Sequence, residues 1–156
     1  MAINLNEFWR ANGSTHTPAT DDSIAIAEQI LNVKLPPLFV DLLKIQNGGN
    51  TKGYIFPTAK KTLWADDHVP FWEMYGIGES VNTTPQNILD SQYLIEEWGL
   101  PEKQVLLAGE GHWWITLDYR SSDTPSVQWL DVEGSEELLL AETFEDFING
   151  LVADID

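Results

Sequence analysis

The chain has 156 residues, 43% of them apolar, with seven tryptophans, no cysteine, and 25 acidic residues against 8 basic ones, a formal net charge of −17. The absence of cysteine excludes disulfides, thiol nucleophiles and zinc–thiolate sites. The charge argues against nucleic acid and anionic membrane surfaces as partners, while a chain this long buries about two-thirds of its unfolded surface and needs neither disulfide nor metal to fold.

The charge is uneven. Residues 1–60 carry five acids and five bases and are neutral; residues 61–156 carry the other 20 acids and only Lys61, Lys103 and Arg120 as bases. Such an excess suits a basic protein partner or serves solubility. No basic start followed by an apolar run opens the sequence, and its apolar runs, such as 105–108, are far shorter than a membrane span. The expected location is the cytoplasm, with no membrane contact. Asn12-Gly13-Ser14 and Asn82-Thr83-Thr84 match the glycosylation pattern, but without a secretion signal both read as chance.

In chain order, residues 4–11 read as a short helix capped by Asn4 or Asn6, with Leu5, Phe8 and Trp9 on one side. Residues 13–19 are a polar loop. The spacing of Ile24, Ala27, Ile30 and Leu31 predicts a helix over 21–33, with acids at its start. Residues 35–50, LPPLFVDLLKIQNGGN, are bounded by prolines that suit a first helical turn and by glycines that suit a left-handed stop. They predict a helix of about three turns, halted by Asn47-Gly48-Gly49.

Strands are expected over 53–57 and 69–77, around a charged loop at 61–68 that holds Trp64 and Asp66-Asp67. After Thr83-Thr84-Pro85 a helix over 86–98 offers Ile88, Leu89, Tyr93, Leu94 and Trp98 as apolar positions and ends at Gly99 and Pro101. Residues 104–108 form a short strand. Residues 112–120 alternate, with Trp113, Ile115, Leu117 and Tyr119 on one face and Trp114, Thr116 and Asp118 on the other. With 126–132 they make a hairpin. Residues 133–141 pass from acidic to leucine-rich. Thr143 caps a last helix that turns Phe144, Phe147, Ile148 and Leu151 inward. The fold class is α+β: a single domain with N-terminal helices packed on a mainly antiparallel twisted sheet and closed by a C-terminal helix. The domain spans 1–156, with its core at about 20–152 and an N-terminal helix and loop at 1–19.

His16, His68 and His112 share no helical or strand spacing, so no metal site is expected. Gly109-Glu110-Gly111 and Gly76-Ile77-Gly78 begin like dinucleotide fingerprints, but Trp114 and Val81 stand where the third glycine belongs. The acidic run 131–137 has its glycine at the fourth place rather than the sixth that a calcium loop needs. No cofactor is expected. With 25 acids a chance carboxylate pair is nearly certain, and no Gly-x-Ser-x-Gly elbow occurs, so no catalytic residue is assigned. Trp64, Phe71, Trp72, Tyr75, Trp113, Trp114 and Trp129 cannot all be assumed internal. Adjacent Trp113 and Trp114 point to opposite faces of a strand. Either helices cover both faces and bury both rings, or an exposed ring beside acids anchors a basic partner.

Two blocks carry a resemblance. The first is Ile24…Glu28…Leu31…Leu35-Pro36…Leu42…Asn47-Gly48-Gly49; the second is Gly109-Glu110-Gly111…Ile115-Thr116-Leu117-Asp118, Val127, and Thr143-Phe144-Glu145-Asp146-Phe147-Ile148. Over roughly residues 20–152 this resembles the SUKH superfamily, which includes the Smi/Knr-type cell-wall regulators of fungi and many bacterial proteins. The second proline, Pro37, and the Phe8-Trp9 segment depart from the pattern.

The resemblance implies an α+β fold and a non-enzymatic role. In bacteria the family is best known for immunity proteins that bind and neutralise toxins of polymorphic or contact-dependent systems, many of them nucleases. It supplies no catalytic or partner-binding residues. The expected partner is therefore a cognate toxin domain of basic character, because a nuclease needs basic phosphate-binding residues and an acidic protein steers onto them. The expected contacts are Trp64, Asp66 and Asp67 in one loop, Glu110 and His112 at a hairpin end, and Glu133, Glu136 and Glu137 in the acidic stretch. Two alternatives stay open: a regulatory interaction module like the fungal relatives, and a small hydrolase using paired carboxylates. The oligomeric state is left open.

Overall fold

A computed structural model describes residues 4–10, 17–78 and 87–154. The expected Thr83-Thr84-Pro85 turn, most of the 13–19 loop and both glycosylation matches lie outside the described residues. Helices are α1 (Asp21–Leu31), α2 (Pro37–Ile45), α3 (Ser91–Trp98) and α4 (Phe144–Gly150). Strands are β1 (Gly49–Pro57), β2 (His68–Met74), β3 (Gln104–Gly109), β4 (Trp113–Asp118), β5 (Ser126–Asp131), β6 (Glu136–Ala141) and β7 (Val152–Ala153). The α+β class and the closing helix agree with the sequence reading. The mainly antiparallel pairing agrees too, and the strands divide into two antiparallel sheets, ordered β2-β1-β7 and β3-β4-β5-β6. They meet where the Tyr75 N–H donates to the Leu107 carbonyl at 2.7 Å.

The first expected helix is only a 3-10 turn, Leu5–Glu7, capped by the Asn4 side chain. Phe8 and Trp9 leave it for the core, and Trp9 forms a bridge to Thr51. Helix α1 begins with a reciprocal Thr20–Ser23 capping box and ends at left-handed Asn32. The Glu28 carboxylate reaches past that end and accepts the Leu35 N–H at 2.7 Å. The glutamate of the first motif block thus ties α1 to the entry of α2.

Helix α2 is shorter than expected and stops without a left-handed glycine, because Gln46 is already extended. Its last carbonyls find other donors. The Trp9 indole N–H donates to Leu42 O at 2.9 Å, and the Ala19 N–H donates to Leu43 O at 2.8 Å. Gly48 serves the next turn, at φ +86°. A Cβ there would lie 2.6 Å from the Gly76 nitrogen, so backbone takes the space of a side chain.

Phe39, Leu42 and Leu43 of α2 are fully buried. From α4, Phe144 meets Phe39 edge-on at 5.6 Å, while Phe147 meets Phe71 at 4.9 Å and Phe56 at 4.9 Å. Thr143 caps α4 as its sequence predicts, accepting from the Asp146 N–H. The helix expected over 86–98 is, in its described residues, a 3-10 turn, Ile88–Asp90, followed by α3. Ile88, Leu89 and Ile95 are its buried apolar residues, whereas Tyr93 and Trp98 are exposed.

Every residue of β4 is buried, so both faces of the four-stranded sheet are covered at that strand. Trp113 and Trp114 do point to opposite faces, and both rings are inside. Trp114 packs under Trp98 of α3 at 5.7 Å. Beyond it the outer face is closed by a polar layer: Thr116 Oγ1 donates to Gln104 Oε1 at 2.6 Å, and Gln104 Nε2 donates to Asp118 Oδ1 at 2.9 Å. Arg120 then lies across Asp118 with three side-chain hydrogen bonds.

Candidate functional site

Trp113 and Trp129 stack on the inner face, ring centroids 4.8 Å apart and nearly parallel. Register explains the pairing: Ile115 lies opposite Trp129 and Trp113 opposite Asp131, so the two indoles are diagonal neighbours. Each indole N–H donates to a glutamate. That of Trp113 goes to Glu110 Oε2 at 3.2 Å, and that of Trp129 to Glu136 Oε1 at 3.1 Å. The loop from β1 to β2 lays Trp64 against this stack, 5.7 Å from Trp113, and Trp64 in turn meets Trp72 of β2 at 5.5 Å. A succession of four indoles therefore runs from the interior to the surface.

The loop is held by its own bonds and by Glu136. Thr62 Oγ1 accepts the Trp64 and Ala65 N–H groups, and Glu136 Oε1 also accepts the Leu63 N–H at 3.1 Å. Leu63 lies over Gly134, where a Cβ would come within 2.6 Å of it. Two apolar side chains beside the row are open: Trp72, at its outer end, is 43% exposed, and Leu63, over Gly134 and next to Glu136, 61%.

Five of the eight expected residues are joined at this end of the molecule by direct contacts. Trp64 is half-buried in the succession. Glu110 and Glu136 hold the indole N–H groups. His112 Nε2 lies 3.4 Å from Glu133 Oε1, and the His112 carbonyl accepts the Val132 N–H, so the ends of β4 and β5 are tied. Asp66 and Asp67 are exposed in the Trp64 loop, Asp67 bonded to His68 Nδ1 at 2.9 Å.

Glu137 does not join them. It follows Glu136 on a strand, so it points to the opposite face, where it pairs with Arg120. There burial pushes Asp118 upward, but the Arg120 guanidinium and N–H and the Gln104 amide outweigh it and hold the carboxyl below its usual range. That direction is opposite to the one a general acid needs at neutral pH. Leu63 and Trp72 complete the surface. Trp72 stands within the aromatic run 69–77, but only the pairing of β2 with β1 decides that Phe71 faces inward and Trp72 outward.

Among the described residues no group of three or more histidine or acidic side chains is arranged to hold a metal ion. No helix among them is long and apolar enough to cross a membrane. A concavity of about 1100 Å³ lies between α1 and α3, lined by Ile30, Lys34, Tyr93, Lys103 and Tyr119 among others. The Tyr119 hydroxyl in it is already spent on the Lys34 carbonyl at 2.7 Å.

Two helices, a strand pair, a further helix, a four-strand meander and a closing helix define an α+β domain. The SMI1 / KNR4 family (SUKH-1) matches residues 18–150, and the chain belongs to that family. Among curated proteins no relative matches the sequence. Family membership points to a protein partner.

Proposed function

We propose that the protein is an immunity protein: a non-enzymatic binding module, acting in the cytoplasm, that captures and neutralises a basic toxin domain such as a nuclease. The observation that carries this reading is the open end of the indole succession. Trp72, in ring contact with Trp64, and Leu63, next to Trp64 in its loop, expose apolar surface; the same loop carries Asp66 and Asp67, and Glu110 and Glu136 hold the inner indoles. A large aromatic anchor flanked by acids is the composition expected of a surface that recognises cationic protein. The net charge of −17 supports fast, steered association with such a partner and disfavours nucleic acid in its place.

Co-expression with a nuclease toxin encoded beside the gene tests it. Growth should be rescued and the two proteins should co-purify, with affinity falling steeply as salt rises. Failure of both rescue and co-purification rejects the reading for that pair. The family match also supports a second reading, a regulatory interaction module of the fungal type, using the same surface. Recovery of a specific basic partner that is not a toxin would favour it.

A further inference from the structure

Strand β6 ends the four-stranded sheet, bonded to β5 on one side. The margins of the longer strands elsewhere are partly occupied. β7 covers part of β1, Ser91 Oγ accepts the Leu106 N–H on β3, and β2 carries Pro70 and meets β3 at Tyr75. Among the described residues, no backbone hydrogen bond from elsewhere reaches residues 136–141. The strand stays accessible along its length: Glu137 and Leu139 are exposed, Leu139 by 49%, and Glu136, Leu138 and Leu140 are half-buried. An open edge six residues long is a template for another strand.

Charge decides the occupant. Glu133, Glu136 and Glu137 stand at one end of β6, and Glu142, Glu145 and Asp146 follow the other. The base in contact with this group, Arg120, is already bonded to Asp118 and Glu137. Antiparallel pairing of two copies would bring these acidic ends together, and like charges across a strand pair repel. A basic extended segment has no such cost, and its alternate apolar side chains would cover Leu139 on one face and Leu138 on the other, over the regular register that runs from Glu136 to Leu139 before a bulge.

We infer that the outer edge of β6 receives an extended basic segment of the protein partner, which adds a fifth strand to the sheet. This rests on the binding reading above and adds to it the mode of contact. The probe is an acetylated, amidated octapeptide of alternating lysine and valine, together with the same peptide N-methylated on alternate residues, which keeps its charge but removes one hydrogen-bonding edge. Hydrogen exchange of the whole protein is followed with each. The unmethylated peptide should slow amides within 136–141 by about tenfold or more, and the methylated one should not. Unchanged exchange in β6, or equal slowing by both peptides, overturns the inference. The same measurement in a toxin complex separates the two ideas. Protection around Leu63 and Trp72 without protection of β6 removes the edge and keeps the immunity reading; protection of β6 by the peptide in a protein that binds no toxin does the reverse.

Discussion

Asn47 holds Ile77 by two hydrogen bonds of 2.8 Å, its amide donating to the Ile77 carbonyl and its oxygen accepting the Ile77 N–H. A side chain thus supplies the paired bonds that a neighbouring strand would. The contact is so close that a Cβ on Gly76 would fall 2.4 Å from the Asn47 carbonyl oxygen. The Asn-Gly-Gly motif is therefore one half of a backbone clasp, and Gly76 is the other half.

Asn47→Ala should leave both Ile77 groups unpaired and cost about 1–3 kcal/mol of stability. Gly76→Ala should cost at least as much, because rigid backbone meets the added methyl and cannot give way. Urea unfolding checks both; a loss below about 0.5 kcal/mol in either would show that the clasp is incidental.

Glu28 makes a comparable link at the other end of α2. Glu28→Ala should destabilise by about 1–3 kcal/mol by orphaning the Leu35 N–H, whereas Glu28→Gln, which keeps an acceptor, should cost less. Equal losses in the two variants would mean that charge, not the hydrogen bond, is what matters, with the Lys34 ammonium 3.9 Å away as its partner.

Asp118 gives a pH dependence of definite sign. Its folded pKa lies below the ordinary value of 3.8, so the native state binds fewer protons than the unfolded chain. Its contribution is fully present above that value and is lost as pH falls through the folded value. The stability gap between the protein and Asp118→Asn should therefore hold from pH 7 down to about pH 5 and close below about pH 4. A gap that persists unchanged at pH 2 would contradict the assignment.

The indole succession separates a stability residue from a binding residue. Trp64→Ala removes two ring contacts and uncovers Trp113, and should cost about 2–4 kcal/mol. Trp72→Ala removes one ring contact on the surface and should cost about 1 kcal/mol. Its affinity for the partner should nevertheless fall about 30-fold, as for a central anchor. Calorimetry of unfolding and of association reads the two quantities; an unaffected affinity in Trp72→Ala would move the interface elsewhere.

Local chemistry was legible where neighbours in sequence are neighbours in space. Thr143 and the Phe144, Phe147 and Ile148 stripe read directly as a capped helix, and the alternation from Trp113 to Tyr119 read directly as a strand. β6 was not legible. Two glutamates followed by three leucines show no period of two, because its leucines are only half sheltered on one face and exposed on the other. β7 is too short for any pattern, and the division into two sheets is a choice of pairing partner that local pattern does not encode. For the site, the residue types were legible but their faces were not. Glu136 and Glu137 look alike in a loop, and only the strand beneath them sends one to the indoles and the other to Arg120. The left-handed stop expected for α2 is absent because Gln46 is extended, and the Leu43 carbonyl that such a stop would have satisfied is taken instead by the Ala19 N–H, far away in sequence.

The Trp113–Trp129 stack and its two outward neighbours have an optical consequence. Indoles at this separation exchange excitation, so light absorbed at any of the four is shared along the row. A ligand that covers or displaces the outermost ring changes the emission of the group, and a quencher that reaches Trp72 drains the others through it. The protein thus carries a built-in reporter at the surface proposed for its partner, readable without a label.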